Sequence, residues 1–187
     1  TNATVFRMQV PPGVLPRAKT VRGPLNVSFS GLICFEDVFA YLARDAIRKG
    51  ARFLVNQTND AWFDGTAGAL QHMSHSVFRA VENRVAMVRS ANTGITCFID
   101  RAGRIDPETV RNIRSKAPCI PEVRSEMIYT GGPGGRWTFY TRFGDLPFAF
   151  PCSVLAGIAL AMAIKDIRKM RLESPETKSD SDEDRVE

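Results

Sequence analysis

The sequence predicts an α/β layered fold, and three observations support this class. Short apolar runs rich in β-branched residues alternate with segments of helical spacing, in the order strand, helix, strand, helix, strand, strand. Gly, Pro, Asn and Asp residues mark turns between several of these segments. With 187 residues and 44% hydrophobic content, the chain is long enough for one domain with a buried core. We therefore expect one sheet with helices covering at least one of its faces.

The first strand and helix are predicted around one cysteine. The run from Asn26 to Ile33 is typical of a buried strand, and it leads directly into Cys34. A helix is predicted next, because apolar residues recur at helical spacing from Phe39 to Ile47. Asp37 is expected to cap the start of this helix, and Gly50 is expected to end it.

The following elements continue the alternation. Phe53 to Thr58 is predicted as a second strand. A second helix should run to about Asn83 and bury one apolar face, which consists of Leu70, Met73, Val77 and Val81. Two further strands, Met87 to Ser90 and Gly94 to Ile99, flank an Asn-Thr-Gly turn, and Asp100 to Gly103 forms a hairpin-like connection.

An apolar segment near the C-terminus predicts a membrane-spanning helix. Residues 146–164 are nineteen consecutive residues without a charge, and a helix of this length crosses a hydrocarbon core of about 30 Å. Pro147 and Pro151 fall near its start, where proline is tolerated best. The basic residues that follow place the C-terminal end in the cytoplasm and the α/β domain on the opposite side. The alternative is a buried core helix of a soluble domain.

Composition and spacing argue against nucleic-acid and metal binding. The formal charge is +5, but Lys and Arg are scattered rather than clustered with aromatic residues, so we expect no nucleic-acid partner. The four cysteines show neither a C-x-x-C pair nor a histidine at zinc spacing. His72 and His75 lie three positions apart without an evident third ligand, so a structural or surface role is expected. We expect no metal and no cofactor.

Cys34 is the strongest candidate for a nucleophile. It lies where a predicted strand meets a predicted helix, a junction that exposes a side chain at the sheet edge and directs helix amides toward developing charge. Such amides favour the thiolate, which is the attacking form. By position alone, a cysteine after an apolar strand is more often a small core residue. Cys97 is expected in the core, and Cys119 and Cys152 have no catalytic context.

Six segments in a fixed order carry a family resemblance. They are Gly31 to Asp37, Asn56 to Phe63, Gln71 to Met73, Arg79 to Arg84, Arg89 to Gly94 and Thr138 to Asp145. The first five resemble the nitrilase-type domain of the apolipoprotein N-acyltransferase family, and the sixth is similar to that family's lead into its final transmembrane helix. The resemblance covers about residues 24–165. It implies a partial nitrilase-like α-β-β-α sandwich followed by one C-terminal transmembrane helix.

The resemblance implies roles for three adjacent residues. Cys34 matches the family's acyl-accepting cysteine. Phe35 stands where the family often has Tyr, so that hydroxyl is absent, although the Phe35 backbone amide could face the oxyanion. Glu36 matches a carboxylate beside the nucleophile. This carboxylate could hold a lysine or orient the site, or it could simply be a charge favoured near a helix N-terminus.

Two other sets of residues are predicted with open alternatives. Trp62, with Asn59 and Asp60, matches a loop near the family's acyl-binding mouth, so Trp62 and Asn59 are expected to bind substrate. The alternative for Trp62 is a core aromatic residue under a loop. A helix-face ion-pair set, worth only tenths of a kcal/mol per pair, is predicted for Arg79, Glu82 and Arg84.

The segments divide the chain into four parts. Residues 1–23 have an uncertain register, 24–143 form the C-terminal part of the nitrilase-like catalytic domain, 146–164 form the transmembrane helix, and 165–187 form a basic and then acidic cytoplasmic tail. We expect the acidic end of this tail to be disordered. The chain begins with Thr and shows no signal peptide, so we expect its N-terminus to be a cut.

The resemblance also implies that catalytic groups are missing. The family supplies a Glu general base and a Lys beside the oxyanion, both upstream of the cysteine. Residues 1–33 contain no Asp or Glu, and the single upstream lysine, Lys19, does not match the family's lysine motif. We therefore expect the chain alone to be inactive.

The implied reaction is a two-step acyl transfer in the bacterial inner membrane, with the catalytic domain on the periplasmic side. Cys34 would take an acyl chain from a membrane phospholipid as a thioester. The amine of a diacylglyceryl-cysteine apolipoprotein would then accept it. The alternatives are a soluble carbon–nitrogen hydrolase of a small amide or nitrile, which residues 146–164 argue against, and an inert truncated remnant, which the missing carboxylate favours.

Overall fold

The computed structural model describes residues 3–10, 25–63, 66–109, 128 and 136–173. Contacts divide the chain into two units, Thr1–Gly144 and Asp145–Glu187. The predicted disorder at the acidic end of the tail concerns residues 174–187, which lie outside the described residues.

The first unit contains strands and helices in the predicted alternation. The strands are β1 (Phe6–Val10), β2 (Leu25–Ile33), β3 (Phe53–Asn59), β4 (Ala86–Asn92) and β5 (Cys97–Ile99). The α-helices are α1 (Ala40–Arg48), α2 (Gly68–Asn83) and α3 (Phe139–Phe143). Two short 3-10 turns, Cys34–Val38 and Ala61–Phe63, follow β2 and β3.

The strands form one mixed sheet in chain order, from β1 to β5. Strands β2, β3 and β4 are parallel, whereas β1 and β5 pair antiparallel at the two edges. Helices α1 and α2 lie in the two connections between parallel strands, which require such crossovers. The α/β class is therefore confirmed. Because parallel strands end at the same edge of a sheet, the residues that follow β2, β3 and β4 come together there.

Both helices contribute to one buried apolar core with the sheet. Its strand residues are Leu32, Leu54, Met87, Cys97 and Ile99. Helix α1 adds Leu42, Ala43, Ala46 and Ile47, and α2 adds Met73 and Ala80. Since side chains alternate between the two faces of a strand, Phe53 and Ala86 belong to the opposite face, where they pack with Val27. Phe29 stacks between Phe6 and Phe53 with ring centroids 5.3 and 5.4 Å apart.

Strand β1 lies within residues 1–23, for which the sequence predicts no element. Phe6, Met8 and Val10 alternate with polar residues in this strand, and this is the period-two pattern of a β-strand. Phe6 and Met8 are nearly half exposed. The strand therefore depends on antiparallel pairing with β2 and on the Phe6–Phe29 contact more than on burial.

Helix α2 buries a different face from the predicted one. Met73 is buried, but Leu70 and Val81 are 43% and 37% exposed, so the prediction of one apolar buried face is wrong. The buried face also carries the polar residues His72, Ser76, Arg79 and Asn83. A pattern search for apolar residues does not register polar residues that are buried because tertiary partners satisfy them.

The predicted ion-pair set on α2 is only partly present. Arg79 and Glu82 form a pair with 2.7 Å between Nη2 and Oε1. Arg79 is buried, however, and its Nη1 also donates to the carbonyl oxygen atoms of Asp37 and Val38. Arg84 instead takes a left-handed conformation at the C-terminal cap of α2. Arg79 therefore ties α2 to the turn after β2, and the Arg79–Glu82 pair is the part of the predicted set that is observed among the described residues.

The described part of the second unit contains one long helix, α4 (Leu146–Glu173). Its candidate spanning stretch is Leu146–Met170, and an 18-residue window of this stretch has a mean hydropathy of 2.0 and is not buried among the described residues. By length and composition this helix could span a membrane. It extends past the predicted end at residue 164 because Lys, Arg and Met are good helix formers.

Gly103 offers a test of the packing between α2 and the turn after β5. Its φ is 81°, and a Cβ atom there would lie 2.6 Å from Val81 Cγ2 and 3.1 Å from Val77 Cγ1. We expect Gly103→Ala to lower the free energy of unfolding by about 1–3 kcal/mol. Thermal unfolding of the detergent-solubilised chain, followed by circular dichroism, measures this. The matched control is Gly31→Ala, whose added Cβ meets no atom within 4 Å; equal midpoints for the two variants would contradict the packing.

Candidate active site

Polar side chains replace apolar ones at the carboxyl ends of the central strands. On β3, Leu54 is followed on the same face by Asn56 and Thr58, and on β4, Met87 is followed by Arg89. All five side chains are buried. The core between sheet and helices is therefore apolar near the start of these strands and polar near their ends, at the edge where β2 leads into Cys34.

Cys34 occupies a sharp junction directly after β2. It begins the 3-10 turn Cys34–Val38 and is partly buried. Its φ is 51°, in the left-handed region, which costs a non-glycine residue about 1–2 kcal/mol. Such a strained turn between a strand and a helical segment presents a side chain at the sheet edge and is typical of nucleophile positions.

The helix after Cys34 starts later than predicted. The α-helix begins only at Ala40, with Phe39 at its N-cap. The predicted cap, Asp37, is instead fully buried and accepts hydrogen bonds from Ser76 Oγ at 2.5 Å and Arg89 Nη1 at 2.9 Å. The capping prediction is therefore wrong, because two distant donors satisfy this carboxylate better than local amides do.

Two side chains contact Cys34, and a third holds the backbone of the preceding residue. Asn56 Nδ2 donates to the Cys34 carbonyl oxygen at 2.9 Å. The Thr58 hydroxyl lies 3.3 Å from Cys34 Sγ. Glu36 Oε2 accepts from the Ile33 backbone N–H at 2.8 Å. These contacts hold the junction at Cys34, and Glu36 holds the backbone directly before Cys34.

A buried charged cluster lies behind Cys34. Arg89 is fully buried and donates through Nη1 to Asp37 Oδ2 at 2.9 Å and through Nη2 to Asp60 Oδ2 at 2.8 Å. The His72 ring bridges the same two carboxylates, with Nδ1 2.8 Å from Asp60 Oδ1 and Nε2 3.1 Å from Asp37 Oδ1. The two carboxylates therefore share a guanidinium group and an imidazole ring as hydrogen-bond partners. A buried charge needs partners of this kind.

The pKa of Asp60 follows from this environment. Burial by itself raises the pKa, but hydrogen bonds from His72 and Thr58 and the charge of Arg89 outweigh burial, so the pKa of Asp60 is lowered below its usual value. Asp60 is therefore an anion that stabilises the cluster at neutral pH.

The structure places the other predicted site residues at the same edge. Phe35 is 55% exposed, and its ring lies 5.8 Å from the His72 ring. Trp62 is 88% exposed in the turn after β3, so the alternative of a core aromatic residue is wrong. Asn59 Oδ1 accepts from the Ala61 backbone N–H at 3.2 Å, and this bond shapes the turn that carries Trp62.

Several residues of the site escape prediction as site residues. Thr58 and Arg89 are read only as strand residues, and His72 only as structural or surface. The alternation of side chains between the two faces of a strand could have identified two of the polar residues. Asn56 lies on the same face of β3 as the apolar Leu54, and Arg89 lies on the same face of β4 as Met87. A polar residue in such a row must find buried partners.

The lowered pKa of Asp60 predicts that the stability of the folded chain decreases at acidic pH. A carboxylate with a lowered folded pKa contributes stability above its unfolded value, about 3.9. That contribution is lost as the pH falls through the lower folded value. We expect the thermal midpoint of the wild type to fall more steeply between about pH 5 and pH 3 than that of Asp60→Asn. Parallel curves for wild type and Asp60→Asn would contradict the assignment.

Comparison with known proteins identifies the family. The family model for carbon–nitrogen hydrolases matches residues 4–116. The apolipoprotein N-acyltransferase of Geobacter metallireducens is 44% identical over 72% of this chain and 24% of its own length. Apolipoprotein N-acyltransferase 1 of Treponema denticola is 36% identical over 74% of this chain and 24% of its own length. The chain thus spans about a quarter of the length of these curated relatives.

Solved structures show a weaker likeness. An amidase from Nesterenkonia sp. is 19% identical with a TM-score of 0.39, over 56% of this chain and 36% of the amidase. Nit3 from Saccharomyces cerevisiae, a member of branch 10 of the nitrilase superfamily, is 22% identical with a TM-score of 0.34, over 51% of this chain and 43% of Nit3. The assignment rests on the family model, which covers more than half of the chain. The chain belongs to the carbon–nitrogen hydrolase family and, within it, is similar to apolipoprotein N-acyltransferases.

Proposed function

We propose that this chain is the cysteine-bearing part of an apolipoprotein N-acyltransferase, with Cys34 holding the acyl group as a thioester. The observation that carries the proposal is the strained junction at Cys34, where Asn56 holds the carbonyl and Thr58 lies against the sulfur. The similarity to enzymes of that name supports the same reaction class. A buried structural cysteine would need neither the strain nor the partial exposure.

The proposed reaction proceeds in two steps. The Cys34 thiolate attacks the acyl ester carbon of a membrane phospholipid, which forms a thioester and releases a lysophospholipid. The α-amino group of a diacylglyceryl-cysteine apolipoprotein then attacks the thioester, forms an amide and releases the thiolate. A thioester suits this sequence because a thiolate leaves readily and an amine attacks well.

Residues beside Cys34 supply the proposed contacts with the reacting groups. The Phe35 backbone amide is proposed to face the oxyanion of the tetrahedral intermediate. Trp62, which is 88% exposed, is proposed to contact the acyl chain, with Asn59 holding its turn in place. Exposed aromatic side chains beside a nucleophile offer apolar area to a lipid tail without a prior burial cost.

The long apolar helix supports a membrane location. Helix α4 is long and apolar enough to span a bilayer, and Lys165, Arg168 and Lys169 follow its uncharged stretch. By the positive-inside tendency, the C-terminal end lies in the cytoplasm and the catalytic unit on the periplasmic side of the inner membrane. Both proposed substrates are lipids in that membrane.

Turnover is proposed to need a general base and an oxyanion-stabilising group that residues 1–33 do not supply. The reaction requires a general base and stabilisation of an oxyanion. Residues 1–33 contain no carboxylate, and Lys19 does not match the family's lysine motif. We therefore expect residues 1–187 alone to acylate slowly from phospholipid and to turn over poorly.

An acylation experiment tests the nucleophile. With an activated long-chain p-nitrophenyl ester, which needs less help from a base, we expect a hydroxylamine-sensitive acyl adduct on the Cys34 peptide by mass spectrometry. With phospholipid as donor, we expect the rate of Cys34 acylation to be about 10²–10⁴-fold lower than with the activated ester, because this donor needs the missing general base.

Two variants control this experiment. Cys34→Ala should abolish the adduct, whereas Cys152→Ala, which removes an exposed thiol on α4, should retain it. Equal labelling of Cys34→Ala and wild type, or no adduct from the activated ester, would refute Cys34 as the acyl carrier.

A fractionation experiment tests the membrane helix. Leu155 and Ile158 lie near the centre of the apolar stretch of α4 and are exposed. Arginine at a helix centre costs about 2.5–3.5 kcal/mol on insertion scales, so Leu155→Arg with Ile158→Arg should move the chain out of carbonate-washed bacterial membranes. The matched Leu155→Ala with Ile158→Ala variant should remain in them. Equal retention of both variants would argue against a membrane-spanning role.

A further inference from the structure

The Thr58 hydroxyl lies between two acceptors. Its oxygen is 3.3 Å from Cys34 Sγ and 2.9 Å from Asp60 Oδ1, and the side chain is buried. A hydroxyl group carries one proton, so it donates to one of these atoms at a time. With a neutral Cys34, the thiol donates to the Thr58 oxygen while Thr58 donates to Asp60. A thiolate has no proton, so a hydrogen bond between these two atoms then requires the Thr58 hydroxyl to donate to the sulfur.

Asp60 can release this hydrogen bond at low cost. Its Oδ1 also lies 2.8 Å from His72 Nδ1, and its Oδ2 accepts from Arg89 Nη2 at 2.8 Å. The carboxylate therefore keeps a cationic or N–H partner on each oxygen when Thr58 turns away. The Thr58 hydroxyl is therefore available to donate to the Cys34 sulfur when that sulfur becomes negative.

We infer that Thr58 is a positioning residue whose hydroxyl proton switches from Asp60 to the sulfur of Cys34 whenever that sulfur is negative. The inference rests on the proposed role of Cys34 as the nucleophile. No proton leaves Thr58 in this step. The thiol proton passes to the general base of the reaction, or to buffer in the assay below, and the Thr58 O–H bond only rotates.

The switch has a use in both halves of the acyl transfer. The sulfur is negative before it attacks the ester and again when the amine displaces it, and hydrogen bonds to an ion are stronger than neutral ones. In the thioester between these points the sulfur is neutral, and the hydroxyl returns to Asp60. Thr58 thus stabilises the thiolate without holding back the acylated form.

The charged groups around the switch are already paired. The turn after β2 carries Glu36 and Asp37, and Asp60 directly follows β3. Helix α2 carries His72, and strand β4 carries Arg89. Removal of the Thr58 hydroxyl removes none of these charged groups. A change in the ionisation of Cys34 in such a variant therefore reports the lost hydrogen bond.

The test is the pH dependence of Cys34 alkylation by iodoacetamide in the detergent-solubilised chain. Peptide mass spectrometry assigns the label to Cys34 separately from the other cysteines. For Thr58→Val, which keeps the shape and removes the hydroxyl, we expect the pH midpoint of alkylation to rise by about one unit. Thr58→Ser, which restores the hydroxyl, should return the midpoint to the wild-type value.

The outcomes separate this inference from the proposed function. Alkylation needs no acyl donor, so an unshifted midpoint in Thr58→Val overturns the switch even if Cys34 forms an acyl adduct. A shifted midpoint with no acyl adduct supports the switch and refutes the acyl-carrier role. Thermal unfolding checks that each variant folds. If Thr58→Val does not, Thr58→Ala replaces it, and equal midpoints for Thr58→Ala and Thr58→Ser overturn the inference.

Discussion

The buried guanidinium of Arg89 is the interaction on which the rest of this structure depends. It joins β4 to the end of β3, to helix α2 and to the turn after β2 through Asp60, Ser76 and Asp37. A charge without water is tolerated only when its partners are all in place. The carboxyl edge of the sheet therefore assembles as a unit, and loss of one partner would leave others buried and uncompensated.

That cluster explains how a strained cysteine can be kept in one conformation. Arg89 Nη1 donates to Asn56 Oδ1, and Asn56 Nδ2 donates to the Cys34 carbonyl oxygen. Through Asp60 and Thr58 the same cluster reaches the sulfur. The cost of the left-handed backbone at Cys34 is offset by hydrogen bonds that originate in a rigid, fully buried group.

The family fold alone does not decide the chemistry of this chain. The matching family model describes carbon–nitrogen hydrolases in general, whereas the curated relatives named above are apolipoprotein N-acyltransferases. A fold hosts several reactions, and the site and its surroundings select among them. The lipid substrate proposed above is supported by two features of this chain, which are the exposed side chain of Trp62 and the long apolar helix α4.

The sequence by itself determined the α/β class, three central strands, the candidate nucleophile and the apolar helix, because periodicity and local composition encode them. Only the tertiary structure decided that Asp37 faces Arg89 rather than capping a helix, and that α2 buries His72 and Arg79. Asp37 and Arg89 are 52 positions apart. Burial of a polar group depends on partners that folding brings together, and no local pattern records such distant pairs.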